Sequence, residues 1–93
     1  MIIGLLSLEI YLPYSHSLKE KRKRLSSLKN RLKKKYNVAC AELDYQKKWQ
    51  RTKIGIVTLN NQKRLIENLF NKIITDAEKN IDGHIIDYQT HYF

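Results

Sequence analysis

The sequence predicts an α+β sandwich in which two helices cover one face of a four-stranded antiparallel sheet. Three observations carry this reading. The chain opens on a period-two apolar segment, two later segments repeat apolar residues at three- and four-residue steps, and β-rich stretches lie between and after them. The resulting order is β-α-β-β-α-β, which the right-handed crossover rule turns into the ferredoxin-like arrangement.

In the first segment Leu6, Leu8, Ile10 and Leu12 alternate with Leu5, Ser7, Glu9 and Tyr11, as in a strand with one better-buried face. Pro13 removes a ladder donor and ends it. Ser17 followed three residues later by Glu20 is a capping-box signature, so a helix starts there. Leu18, Leu25, Leu28, Leu32 and Tyr36 then fall within an arc of about 80°, a stripe suited to lying on a sheet. This helix is about 27 Å long.

Asn37 is a suitable helix-ending residue, and NVACAEL reads as the second strand. A polar connection from Asp44 to Gln50 precedes a third strand, KIGIVTL. It contains no Asn-Gly or Asp-Gly, which predicts a longer, flexible loop around Lys47 and Lys48 rather than a tight hairpin. Asn60 or Asn61 caps the second helix, marked by Leu65, Ile66, Leu69, Phe70, Ile73 and Ala77. Asn80 to Gly83 ends it, and HIIDYQTHYF supplies the last strand.

The 93 residues suffice for one domain, spanning 1–93. The apolar start MIIGLLSLEIYL lacks the basic flank and cleavage site of a signal peptide, carries Glu9, and is too short to span a bilayer. The single cysteine, Cys40, permits neither an intrachain disulfide nor a multi-cysteine zinc site. A cytoplasmic protein is expected.

The net charge of +9 resides in one element. Residues 17–36, SLKEKRKRLSSLKNRLKKKY, hold ten of the eighteen Lys and Arg residues against one acid, while the remaining bases and acids balance. A localised basic surface points to a polyanionic partner.

The motifs SLKEKR (Ser17 to Arg22), NVxxAE (Asn37 to Glu42) and WQRxxxG (Trp49 to Gly55) run in order along the chain. In these it resembles the YlxP-like family of small bacterial proteins. The resemblance implies a ferredoxin-like fold and, in many bacteria, a gene among those for transcription elongation, translation initiation and ribosome maturation. It implies no cofactor or catalytic residue.

On the first helix Lys19, Arg22, Lys23, Arg24, Arg31, Lys33, Lys34 and Lys35 are candidates for phosphate contacts. The competing view is an ordinary solvated face, but one acid among ten bases is self-repelling at i,i+4 spacing. Lys21 falls inside the leucine stripe and must either snorkel to the edge or meet a carboxylate; Glu42, on the helix-facing side of the second strand with Val38 and Cys40, is the candidate partner. Lys47, Lys48 and Arg51 extend the basic surface. Trp49 beside them suits either base stacking or, preferably, anchoring of the loop.

The uncovered sheet face is a further candidate, lined by Tyr11, Tyr45, Leu5 and Leu43, with either Tyr88 and Tyr92 or His91 and Phe93. It lacks the RNA-recognition signature, so burial in a homodimer is preferred there. His16, His84 and His91 have no metal-ligand spacing, Cys40 reads as a small buried hydrophobe, and no glycine-rich phosphate loop exists. The expectation is a non-enzymatic protein binding RNA or a ribosomal subunit, with no cofactor, metal, membrane or small-molecule substrate. The alternative is a protein-interaction module or structural homodimer with an acidic protein partner.

Overall fold

The computed structural model describes residues 1–93 as β1 (Ile2–Tyr11), α1 (Leu18–Lys35), β2 (Ala39–Asp44), β3 (Arg51–Asn60), α2 (Lys63–Asn80) and β4 (His84–Tyr92). The strands form one antiparallel sheet in the order β2-β3-β1-β4. This is the ferredoxin-like sandwich that the periodicities predict.

Strand parity decides which side chains meet the helices. β1 and β3 pair from Ile2↔Asn60 to Tyr11↔Arg51, so their even-numbered residues share one face. Leu6, Leu8, Ile10, Ile54 and Ile56 on that face are fully buried under Leu25, Leu28 and Leu32 of α1 and Ile66, Phe70, Ile73 and Ala77 of α2. Gly4 lets α2 approach closely: a Cβ there would lie 2.5 Å from Ile66 Cγ2 and 3.1 Å from the Phe70 ring. The odd-numbered residues form the open face.

Helix ends refine the sequence reading. The Ser17 hydroxyl accepts from the Glu20 amide at 3.1 Å, but the Glu20 carboxylate reaches one residue further back, to the His16 amide. α1 ends at an extended Tyr36, one residue before the expected Asn37. The cap of α2 is Gln62 rather than Asn60 or Asn61, and it makes no side-chain cap bond. Asn60 instead uses its Oδ1 to accept from the Gln62 amide at 3.0 Å, turning the chain just before the helix.

The two alternatives for β4 are resolved by a bulge. Asp87 pairs with Glu9 but Ile85 with Ile10, leaving Ile86 as the additional residue. Tyr88 pairs with Leu8 and Tyr92 with Gly4, on the helix side. His91 pairs with Leu5 and therefore belongs to the open face. The Tyr92 ring lies 4.6 Å from the Lys63 ammonium of α2. No helix is long and apolar enough to cross a membrane.

Candidate nucleic-acid interface

The helical angles of α1 divide its cations into two groups. Opposite the buried stripe, and on the flank toward β2, lie Lys19, Arg22, Lys23, Lys29, Lys33 and Lys34. Lys29 is half-buried and the others are exposed. None of the six enters an ion pair. Lys29 was not among the sequence candidates. Its position is evident from Cys40 on β2, whose thiol is pushed up by burial while Lys33 and Lys29 pull the other way.

On the flank toward α2 the cations already have partners. Arg31 Nε lies 2.7 Å from Asp76 Oδ1, and Lys35 Nζ lies 2.8 Å from Asp76 Oδ2. The Tyr36 hydroxyl donates to the same carboxylate at 3.1 Å, and Asn80 Nδ2 donates to Oδ1 at 3.0 Å. Asp76 is buried. Burial opposes its ionisation, but the hydrogen bonds from Arg31, Lys35 and Tyr36 outweigh that cost and hold the carboxyl well below its usual range. Arg24 pairs with Asp82 at 2.7 Å.

Arg24, Arg31 and Lys35, three of the predicted phosphate contacts, thus join the helices to one another and to the turn after α2. Sequence reasoning missed Asp76 because it lies 41 and 45 residues from its two basic partners. A signal existed: like Lys21, Asp76 sits beside an apolar stripe, next to Leu69 and Ile73 in angle, where an unpaired charge is costly.

Lys21 and Glu42 meet as expected, with Nζ 2.9 Å from Oε2. Lys21 is 1% exposed, and its ammonium also donates to the Tyr45 carbonyl. The Thr52 hydroxyl donates to the same Glu42 oxygen. Tyr45 follows β2 with φ 63°, in the left-handed region that a tyrosine seldom occupies. Its ring lies 4.4 Å from the Arg51 guanidinium, and its hydroxyl donates to Glu9. Arg51 in turn pairs with Glu9 at 2.6 Å.

The β2–β3 connection, residues 45–50, is longer than a tight hairpin, as expected, and hydrogen bonds tie it to the rest of the fold. Gln50 Nε2 donates to the Pro13 carbonyl at 3.0 Å, the Leu12 amide donates to the Gln50 carbonyl at 2.8 Å, and the Lys48 amide donates to the Tyr45 carbonyl at 2.9 Å. These bonds, rather than Trp49, anchor it. Trp49 is 54% exposed and, with Tyr11, Ile86, Lys47 and Lys48, borders an open hollow of about 620 Å³. The anchoring role preferred for Trp49 from sequence is therefore replaced by an exposed one. Nowhere do three or more His, Cys, Asp or Glu side chains converge as a metal-ligand set.

A ferredoxin-like sandwich whose first helix presents an unpaired cationic face defines the class of this protein. The model of the family described as "Protein of unknown function (DUF503)" matches residues 3–90, and the chain belongs to that family. It is 33% identical over 73 residues to "Uncharacterized protein YlxP" of Bacillus subtilis (strain 168), a match covering 78% of this chain and 79% of that protein. Among solved structures, the de novo designed protein Ferredog-Diesel aligns over 96% of this chain and 83% of its own, with a TM-score of 0.52 and 12% identity. That likeness is one of fold alone.

Proposed function

We propose that this is a non-enzymatic, cytoplasmic RNA-binding protein, ribosome-associated, that holds phosphates on α1. The observation that carries the reading is the set of six cations, Lys19, Arg22, Lys23, Lys29, Lys33 and Lys34, with no carboxylate partner on an exposed helix surface. From Lys19 to Lys34 they run about 22 Å along the axis, enough to follow several phosphates. Such contacts fix position and read little sequence.

Cosedimentation with ribosomal subunits across a salt series tests this, comparing the native protein with a Lys23→Glu/Lys33→Glu/Lys34→Glu variant. Binding that weakens with salt and is lost in the variant supports the reading. Binding unchanged by the reversal sinks it. An acidic protein partner predicts salt-sensitive binding that survives ribonuclease treatment.

Self-association is a second reading, favoured by Leu43, Val57 and Leu59, which stand 48%, 39% and 62% exposed on the open face. The two readings use different faces and are compatible.

A further inference from the structure

The hollow at the β2–β3 loop has a chemistry separate from that of α1. Its border combines an exposed indole, Trp49, an exposed phenol, Tyr11, and the Ile86 side chain that the β4 bulge directs to the open face. The charged residues on it are Lys47, Lys48 and Arg51, with no acid among them. Arg51 is engaged by Glu9, whereas Lys47 and Lys48 enter no ion pair. A large aromatic surface left in water beside free cations complements a ligand that is flat and apolar on its faces and anionic at its edge. An unpaired nucleotide is such a ligand.

The loop is also held in place before any ligand arrives. The Gln50 bonds to Pro13 and Leu12 fix its end, the Lys48 amide closes a turn on the Tyr45 carbonyl, and buried Lys21 holds that same carbonyl from below. A platform already ordered loses little further freedom on binding. We infer that Trp49 and Tyr11 form a stacking subsite for one unpaired base of a single-stranded RNA segment, with Lys47 and Lys48 taking the adjoining phosphate. This rests on the RNA-binding reading above and adds to it a preference for a single-stranded element beside the phosphate track of α1.

Trp49 is the chain's one tryptophan, so its fluorescence reports the subsite directly. The full-length protein is titrated at low salt with an eight-nucleotide oligoadenylate, with a blunt RNA duplex of matched charge, with inorganic polyphosphate and with a poly-glutamate peptide. Affinities are also measured by anisotropy of labelled RNA for Trp49→Ala, Trp49→Phe and the α1 triple Glu variant. Oligoadenylate is expected to quench Trp49 emission more than duplex or polyphosphate. Trp49→Ala should weaken single-strand binding by at least about fivefold, and Trp49→Phe by less, since a ring remains. Duplex affinity should be unchanged by both.

Equal quenching by polyphosphate, stronger quenching by the peptide, or equal oligoadenylate affinity in Trp49→Ala overturns the stacking subsite. If that happens while the α1 variant still loses duplex binding, the subsite falls and the α1 reading stands. If neither RNA binds the native protein, both fall. Unchanged far-ultraviolet circular dichroism and unfolding midpoint in Trp49→Ala assign any loss of affinity to the missing ring rather than to the fold.

Discussion

The Lys21 ammonium lies 2.9 Å from the Glu42 carboxylate, beneath the first turn of α1 and almost wholly out of water. The charge is tolerated there because two of its three donors are used, one on Glu42 and one on the Tyr45 carbonyl. A buried pair of this kind adds little over an apolar substitute of the same volume, yet removing one member leaves the other stranded.

Lys21→Ala is therefore expected to destabilise the protein by about 3–5 kcal/mol, combining a lost packing volume with an uncompensated Glu42. Lys21→Met/Glu42→Leu should recover most of that loss. Urea unfolding of the single and double variants measures the difference, and equal destabilisation in both would contradict the account.

Asp76 gives a pH dependence with a definite sign. Its carboxyl is held below the ordinary value in the fold, so its contribution is complete above the unfolded value of about 3.9 and is lost as pH falls below it. Asp76→Asn should cost about 1–3 kcal/mol at neutral pH, where Arg31 and Lys35 can turn to water. The variant should also show a flatter stability curve between about pH 5 and 2.

The two groups of α1 cations should respond differently to mutation. Lys23→Glu/Lys33→Glu/Lys34→Glu is expected to lower RNA affinity more than tenfold at low salt with little change in unfolding midpoint. It should also reduce the slope of log affinity against log salt by about three, roughly one per lost contact. Arg31→Gln/Lys35→Gln should do the reverse, lowering the midpoint through Asp76 and changing affinity less.

Two glycines offer a contrast in stability. A Cβ on Gly83 would run into the Tyr11 carbonyl oxygen, which is backbone and cannot give way, so Gly83→Ala should cost about 1–3 kcal/mol. The atoms nearest a Cβ on Gly55 all belong to the half-exposed Leu43 side chain, the first at 2.7 Å, and Leu43 can swing into solvent. Gly55→Ala is expected to change stability by less than about 1 kcal/mol. Thermal unfolding of both variants separates the two cases.

What could be read from sequence was what depends on neighbours along the chain. The stripe of α1, the strand alternation and the Ser17–Glu20 start are local patterns, and each stands in the structure. Lys21 has a legible partner because a lysine within a leucine stripe must snorkel or meet a carboxylate, and the short strand that follows offers Glu42 on the helix-facing side. Asp76 also needed a partner, but its partners lie on α1, with β2 and β3 intervening in the chain, and no local pattern encodes how the two helices sit side by side on the sheet. The bulge at Ile86 was equally hidden, since one additional residue in β4 reverses which tyrosines face the helices. Trp49 was assigned to packing by the habit of its residue type, whereas the loop is tied down by Gln50.

Asp76 shapes more than the seam between the helices. By pairing with both Arg31 and Lys35 it halves their net charge, and with Arg24 paired to Asp82 most of the excess positive charge of α1 lies on the side away from α2. A molecule charged off-centre experiences a torque in the field of a polyanion and turns toward it while still several ångströms away. If the partner is the RNA proposed above, orientation would be selected during the approach, before any single contact has formed.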